Sequence, residues 1–237
     1  MCAVSQSDNG PWVVGEVRDD GAGRRTERER VGDVLRDRIL SGLLSAGDRI
    51  DLDSYATEFG TSRTPVREAC LTLAQEGLVR VAQRSGVTVI GVSAETTMEN
   101  FTIMAALSGV AAQWAAEKIG PRDLLRVREL NREIHVAVQA GDDIATLNWL
   151  FHREINKACG SPRLQAMLGD AGRMIPRRFF ELFPEQVPCS LDDHDALVAA
   201  LAARDGSTAR RVSEDHFRGP AELLSAHIHR QGPTAAQ

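Results

Sequence analysis

Three histidines in the second half of the chain have the types and spacing of a metal site. His152, His194 and His216 each fall on the apolar stripe of a predicted helix, and Asn148 lies one helical turn before His152. Three imidazoles and one side-chain oxygen directed into one cavity suit zinc, nickel or another late divalent metal, with open positions for water or a ligand oxygen. Any one of these histidines alone is more often a hydrogen-bonded core or surface residue, so the prediction depends on the set.

A second group of residues is suited to DNA recognition. Arg63, Thr64 and Arg67 face outward in the first turn of a predicted helix. The opposite side of this helix carries Val66, Ala69, Cys70 and Leu73. Arginine can pair with guanine through two hydrogen bonds, and the first turn of a recognition helix lies deepest in the major groove. The alternative for these arginines is a solvated helix face.

The elements around this helix favour a winged helix-turn-helix. A short helix ends at Gly60, and Ser62 is placed to cap the next helix, which tolerates Pro65 in its first turn. The β-branched segments 78–82 and 87–92 flank a Gly-containing turn and predict a β-hairpin. A hairpin in this position is a wing, and the residues beside the phosphates would be Arg80, Arg84, Ser85 and Gly86.

The apolar pattern predicts a mostly α protein with two domains. We expect a flexible arm over residues 1–26, a winged helix over 27–93, a helical bundle over 94–229 and a tail over 230–237. The winged helix would contain three helices and the hairpin, and residues 93–95 would form the linker. The bundle would be all-α, with six helices at about 98–117, 121–138, 144–158, 164–182, 191–203 and 207–227.

Charge and composition limit the classes of protein. The formal net charge of the 237 residues is −5, but residues 24–93 hold eleven Arg against ten acids, and both flanking segments are net negative. The four cysteines form no Cys-x-x-Cys pair, which argues against a thiolate zinc site or a disulfide framework. The sequence contains no run of 18 apolar residues and no signal-peptide pattern, so we expect a soluble, cytoplasmic protein.

The recognition segment carries a specific family resemblance. Residues 62–69 match the recognition segment of the GntR regulators almost residue for residue, and residues 31–93 resemble the winged helix of that family. Asp53 is a departure, because some members carry a basic DNA-contacting residue there. The resemblance implies DNA contacts at Ser62, Arg63, Thr64, Pro65 and Arg67, and at Ser85 and Gly86 of the wing tip.

The bundle resembles the FCD branch of the same family, which is related to FadR. Metal-binding members of this branch show an Asp or Asn four residues before one His, and two further His on the last two helices. The 22 residues between His194 and His216 fit that pattern. The resemblance implies that Asn148, His152, His194 and His216 are the ligands of a divalent metal, with zinc preferred. A neutral amide oxygen in place of the commoner Asp should lower the metal affinity.

The effector is expected to be a small organic acid, but the side chains that would bind its carboxylate differ from those of the resembling branch. The first bundle helix of this branch often carries an Arg and, one turn later, an acid, and Met104 and Ser108 occupy those places here. Replacement donors would be Arg173, Arg177 or Arg178 on the fourth bundle helix. For each of these arginines the alternative is a solvated helix face.

Two functions from different classes follow. The first is a homodimeric regulator, in the simplest case a repressor, that binds a palindromic operator and responds to the effector. The second is a metal enzyme in which the three histidines activate water. No general base supports the enzyme, because Glu154, Asp192 and Asp193 face away from the histidines by helical phase. A regulator with a purely structural metal is a third variant.

Overall fold

A computed structural model describes residues 26–82 and 86–230 of the chain. The predicted arm up to residue 25, the wing residues 83–85 and the tail 231–237 lie outside the described residues. Two of the expected DNA contacts, Arg84 and Ser85, are in this part. The described residues are mostly helical, with one small sheet, which confirms the expected fold class.

The N-terminal part is a winged helix-turn-helix. It contains, in chain order, α1 (Glu27–Leu40), β1 (Arg49–Ile50), α2 (Leu52–Glu58), α3 (Arg63–Gln75), β2 (Val79–Ala82) and β3 (Gly86–Val89). Strands β2 and β3 form the expected antiparallel hairpin, and β1 adds a third strand on the other side of β3. The alternation of the sequence did not predict β1, because two residues are too few to show a period.

Local signals in the sequence fix the ends of these helices. Thr26 and Glu29 form a reciprocal capping box at the start of α1, and Asp51 caps α2. Helix α3 packs on α1 through apolar residues, and an ion pair between a buried arginine and a partly exposed glutamate adds to this contact. Arg36 of α1 is 6% exposed and donates two hydrogen bonds of 2.8 Å to Glu76, the C-cap residue of α3.

The rest of the described chain is a helical bundle. Its helices are α4 (Ala94–Lys118), α5 (Pro121–Ala140), α6 (Ala145–Ala158), α7 (Pro162–Gly172), α8 (Phe179–Leu182), α9 (Val187–Ala202), α10 (Gly206–His216) and α11 (Arg218–Arg230), with a 3₁₀ turn at Pro184–Gln186. The prediction of a linker over residues 93–95 was wrong. Ser93 is the N-cap of α4 and its side chain accepts a hydrogen bond from the backbone N–H of Thr96, so the bundle begins directly after the wing.

Two of the six predicted bundle helices are divided. The segment expected as one helix over 164–182 ends as α7 at Gly172 and resumes as α8, because Pro176 cannot donate to the carbonyl of Gly172. The segment expected over 207–227 is divided between α10 and α11. Here Pro220 cannot donate to the carbonyl of His216, and His216 is consequently the last residue of α10.

Two clusters of buried apolar side chains stabilise the molecule. One runs from the winged helix into α4, α7, α8 and α11, so the two domains share a continuous apolar contact. The other lies within the bundle between α4, α5, α6, α9 and α10. Among residues 26–82 and 86–230, no helix is long and apolar enough to cross a membrane.

Candidate functional site

The first turn of α3 presents the predicted DNA contacts on the surface. Helix α3 begins at Arg63, and Ser62, Arg63, Thr64 and Arg67 are exposed, while Pro65 is half-buried. Ser62 occupies the N-cap position, but its side chain makes no capping hydrogen bond, contrary to the prediction. The free N–H groups of this turn and the Ser62 hydroxyl are therefore available to a phosphate oxygen.

The wing lies next to α3 in the sequence and carries exposed cationic and glycine positions. Arg80 is exposed on β2, opposite Thr88 of β3. Gly86 begins β3 with a φ of +85°, a backbone conformation that side-chain-bearing residues rarely adopt. This position also lacks a side chain that would hold a phosphate away from the backbone.

The structure brings the three predicted histidine ligands together from three helices. His152 lies on α6, His194 on α9 and His216 at the end of α10, and their ring centroids are 5.0 to 5.1 Å apart. One potential ligand atom of each side chain lies within 4.8 Å of those of the other two. This separation allows three imidazole nitrogens to bind one ion between them.

Several polar atoms at this cluster are buried without partners. In the described part of the chain, no hydrogen bond reaches Nε2 of His152, either ring nitrogen of His194, or Oδ1 of Asn148, which lies one turn before His152. Buried polar atoms almost always have a partner, because leaving them unsatisfied costs about 1–3 kcal/mol each. The residues present therefore fit a bound cation.

Two of the three histidines are held neutral. Burial, and after it the charge of His216, lowers the pKa of His152 to about 3. Burial also lowers the pKa of His194 well below its usual value, and His152 and His216 add to this shift. Neutral imidazole is the form that offers a nitrogen lone pair to a metal ion.

A carboxylate that the sequence reasoning set aside orients the third histidine. Asp193 was expected to face away from the cluster, but its Oδ2 lies 3.0 Å from Nδ1 of His216. The expectation was wrong because it used only the helical phase of α9, whereas His216 extends towards Asp193 from α10. A carboxylate on Nδ1 fixes the ring orientation and leaves Nε2 of His216 for a metal ion.

Aromatic rings surround the cluster. The ring of Phe151 lies 4.2 Å from that of His194, and the ring of Phe217 lies 5.2 Å from that of His216, centroid to centroid. Such an apolar environment excludes water and strengthens the electrostatic interaction between an ion and its ligands.

Of the residues expected at the effector site, Arg173 and Arg177 lie away from the histidine cluster. Arg177 donates a 3.0 Å hydrogen bond to Asp33 of α1, and its backbone N–H donates to Asp37. Arg173 pairs with Asp170 and lines a cavity of about 300 Å³ whose lining contains none of the three histidines. Met104 is buried in the cluster of apolar side chains shared by the two domains. The structure thus gives Arg177 a role between the domains, and the expected fourth bundle helix that would have carried the arginines is broken there.

An exposed recognition helix joined to a separate helical bundle defines the architecture of a DNA-binding regulator. Residues 27–89 match the bacterial regulatory proteins of the gntR family, and residues 99–219 match the FCD domain. The chain therefore belongs to the GntR family, in its FCD-containing branch. It is a transcriptional regulator and not an enzyme.

Known relatives show the same class of protein. The chain is 28% identical over 187 residues to the gluconate operon transcriptional repressor of Bacillus subtilis, covering 74% of this chain and 76% of that repressor. It is 28% identical to a probable D-xylose utilization operon transcriptional repressor of Paenarthrobacter nicotinovorans, covering 90% and 96% of the two chains. The solved structure of Escherichia coli McbR/YncC superposes with a TM-score of 0.71 at 26% identity, covering 86% of this chain and 99% of that one.

Proposed function

We propose that this regulator is a homodimeric, cytoplasmic repressor that binds a palindromic operator and is controlled by a small organic acid at a metal-containing centre. The observation that carries the proposal is the set of buried, unpartnered histidine nitrogens, three side chains converging within 4.8 Å. The repressor direction is supported by the relatives from Bacillus subtilis and Paenarthrobacter nicotinovorans, which are named as repressors.

Four side chains would hold the metal. His152, His194 and His216 supply nitrogen ligands, and Asn148 supplies an amide oxygen from the same face of α6 as His152. When bound, a divalent ion supplies a positive charge that attracts an anionic oxygen into an otherwise apolar centre. Zinc suits a set dominated by imidazoles, and nickel suits it as well.

An organic acid is the effector class that such a centre favours. Hydroxycarboxylates combine a carboxylate with a neighbouring hydroxyl oxygen, and both oxygens are suited to bind a divalent ion. His152 and His194 would bind as neutral ligands, so they would leave the positive charge of the ion available to an anionic effector. Specific effectors would then be distinguished by how their remaining groups fit among the aromatic side chains.

An exposed apolar stripe on α4 is suited to form the dimer contact. Ile103 is 56% exposed and Trp114 is 37% exposed, and the half-buried Leu107 and Val110 lie between them at helical spacing. A matching stripe from a second copy would cover these side chains. Two winged helices in one dimer gain operator affinity through avidity, which compensates for the small positive charge of each.

The dimer proposal has a direct test. Ile103→Lys should convert the protein to a monomer in light scattering after size-exclusion chromatography and should weaken operator binding. Val136→Lys is the matched control, because Val136 is equally exposed on α5, away from the stripe. A dimer that persists in Ile103→Lys would remove the α4 stripe from the interface.

Elemental analysis tests the metal. The purified protein, loaded with zinc and then desalted, should carry about one ion per chain. His194→Ala should lower the content well below stoichiometry, whereas His229→Ala, a histidine exposed near the end of α11, should leave it unchanged. Equal metal content in all three proteins would show that the cluster is not the binding site.

A thermal-shift measurement tests the effector class and distinguishes a sensory from a structural metal. Gluconate, lactate and citrate are the probes, added to zinc-loaded protein with and without chelator. Stabilisation by at least one acid that disappears on chelation is expected. Stabilisation by metal alone, with no response to any acid, would indicate a structural ion.

A further inference from the structure

The DNA-facing surface contains an acidic residue in a position that needs an explanation. Asp53 lies in the first turn of α2, exposed, beside the recognition helix. A carboxylate near the phosphates of DNA lowers the affinity for every sequence, because like charges repel. Its contribution to this protein must therefore come from a contact on the protein side.

The contact is an ion pair with the first residue of the recognition helix. Oδ1 of Asp53 lies 3.1 Å from Nε of Arg63, and both side chains are 65% exposed. A guanidinium has five N–H donors, of which Nε carries one. The pair therefore engages the inner end of the guanidinium, and among residues 26–82 and 86–230 no hydrogen bond or ion pair reaches its two terminal nitrogens.

We propose that Asp53 is a specificity-determining residue that positions Arg63 for base recognition. The terminal nitrogens of an arginine held in this way can donate two parallel hydrogen bonds to O6 and N7 of a guanine. Holding the side chain before binding reduces the rotamer entropy that Arg63 loses on the DNA. The same carboxylate weakens binding to phosphates in all sequences, so both effects increase discrimination between the operator and other DNA.

The solvent exposure of Asp53 and Arg63 limits what their ion pair contributes in the free protein. An ion pair between side chains this exposed contributes little to the stability of the free protein, because water and salt screen it. Its effect is expected in the complex, where DNA excludes water from the pair. The inference rests on the proposed role of Arg63 in DNA recognition, and the test must separate the two.

Selection of duplexes from a random library, by the full-length protein and its variants, provides that separation. Arg63→Ala should lose the preference at one base pair of each half-site. Asp53→Ala should reduce the preference at that same base pair about fivefold, the upper range for an exposed pair, while raising affinity for unrelated DNA. In Arg63→Ala, adding Asp53→Ala should change the base preference no further.

Glu58→Gln is the matched control. Glu58 is also an exposed carboxylate of α2, but it pairs with Arg38. This variant should raise affinity for all DNA without changing any base preference. Full retention of the wild-type preference in Asp53→Ala would overturn the inference about Asp53 alone. An unchanged preference in Arg63→Ala would overturn both this inference and the proposed role of Arg63.

Discussion

The recognition helix presents exposed arginines from one contiguous segment, whereas the histidine cluster collects buried imidazoles from three separate helices. Arg63 and Arg67 lie four residues apart at the start of α3, while His152, His194 and His216 come from α6, α9 and α10. The first surface acts through charge in water and must respond to salt. The second is enclosed and holds two imidazoles with lowered pKa values, so it should respond to pH and to a bound ion. The two regions of this regulator should therefore respond to different solution conditions.

The largest effect is expected from the partly buried ion pair that joins α1 to α3. Arg36→Ala leaves Glu76 without two charge-assisted hydrogen bonds, which should lower the free energy of unfolding by about 3 kcal/mol. Urea denaturation measures this loss. Arg210→Ala, which removes the more exposed pair with Glu214 in the bundle, should cost less than about 1 kcal/mol. Equal losses of stability in the two variants would contradict the view that the Arg36–Glu76 pair stabilises the recognition helix.

The histidine cluster should make the metal-free protein less stable in acid. The pKa of His194 is lower in the folded protein than in the unfolded chain, where it is about 6.5, so the unfolded chain takes up the proton first as the pH falls. The stability is fully present above pH 6.5 and is lost progressively below it. Between pH 7 and pH 5 this histidine should account for up to about 2 kcal/mol, the limit set by 1.36 kcal/mol per pH unit below 6.5.

His194→Phe isolates that contribution. Phenylalanine keeps an aromatic ring next to Phe151 and does not titrate. In urea denaturation, the free energy of unfolding of chelated wild type should fall by up to about 2 kcal/mol more than that of the variant between pH 7 and pH 5. An equal loss of unfolding free energy in wild type and His194→Phe would mean that His194 takes up a proton as readily in the folded protein as in the unfolded chain.

Two arginines of the exposed DNA-binding surface, Arg67 and Arg80, should contribute to DNA binding in different ways. Arg67→Ala should weaken binding to the selected operator by roughly 1–3 kcal/mol and relax the preference at one base pair. Arg80→Ala on the wing should instead weaken binding to all DNA sequences. The salt dependence of the affinity should fall by about the amount that one phosphate contact contributes. Fluorescence anisotropy over a range of salt concentrations separates the two patterns. Identical patterns would remove Arg67 from the base-contacting residues.

The smallest effect is expected where the two regions meet. Arg177→Ala removes the exposed hydrogen bond to Asp33 but keeps the backbone N–H contact with Asp37. The free energy of unfolding should therefore change by less than about 1 kcal/mol. If this contact sets the orientation of the winged helix, the difference in operator affinity between zinc-loaded and chelated protein should narrow in the variant. An unchanged difference would show that the domains communicate by another contact.

The sequence predicted what is local or periodic. Residues 62–69 form a contiguous segment, so the start of α3 and its outward arginines followed from helix caps and spacing alone. The three histidines were predicted because each lies on the apolar stripe of its own helix. Their distances from one another, however, depend on how α6, α9 and α10 pack, which no periodicity determines.

The missed features are contacts between distant segments. Asp193 was judged by the phase of its own helix, although its partner His216 comes from another. Arg177 was judged as part of a continuous helix, but the break at Pro176 turns it towards α1. The ion pair between Asp53 and Arg63 joins two helices of the helix-turn-helix whose crossing is a tertiary property. None of these contacts follows from the sequence of one segment, because each depends on how two elements pack.

The most direct test of the account is the operator affinity of one protein preparation before and after the metal is restored. The chelated protein and the same protein reloaded with stoichiometric zinc are titrated against the selected operator at pH 7.5 and constant salt. If the histidine centre is coupled to the DNA-binding surface, the dissociation constant should change at least fivefold, which is about the lower limit of typical allosteric coupling. His194→Ala should show no change under the same treatment. Superimposable titration curves for chelated and zinc-loaded wild type would contradict the account.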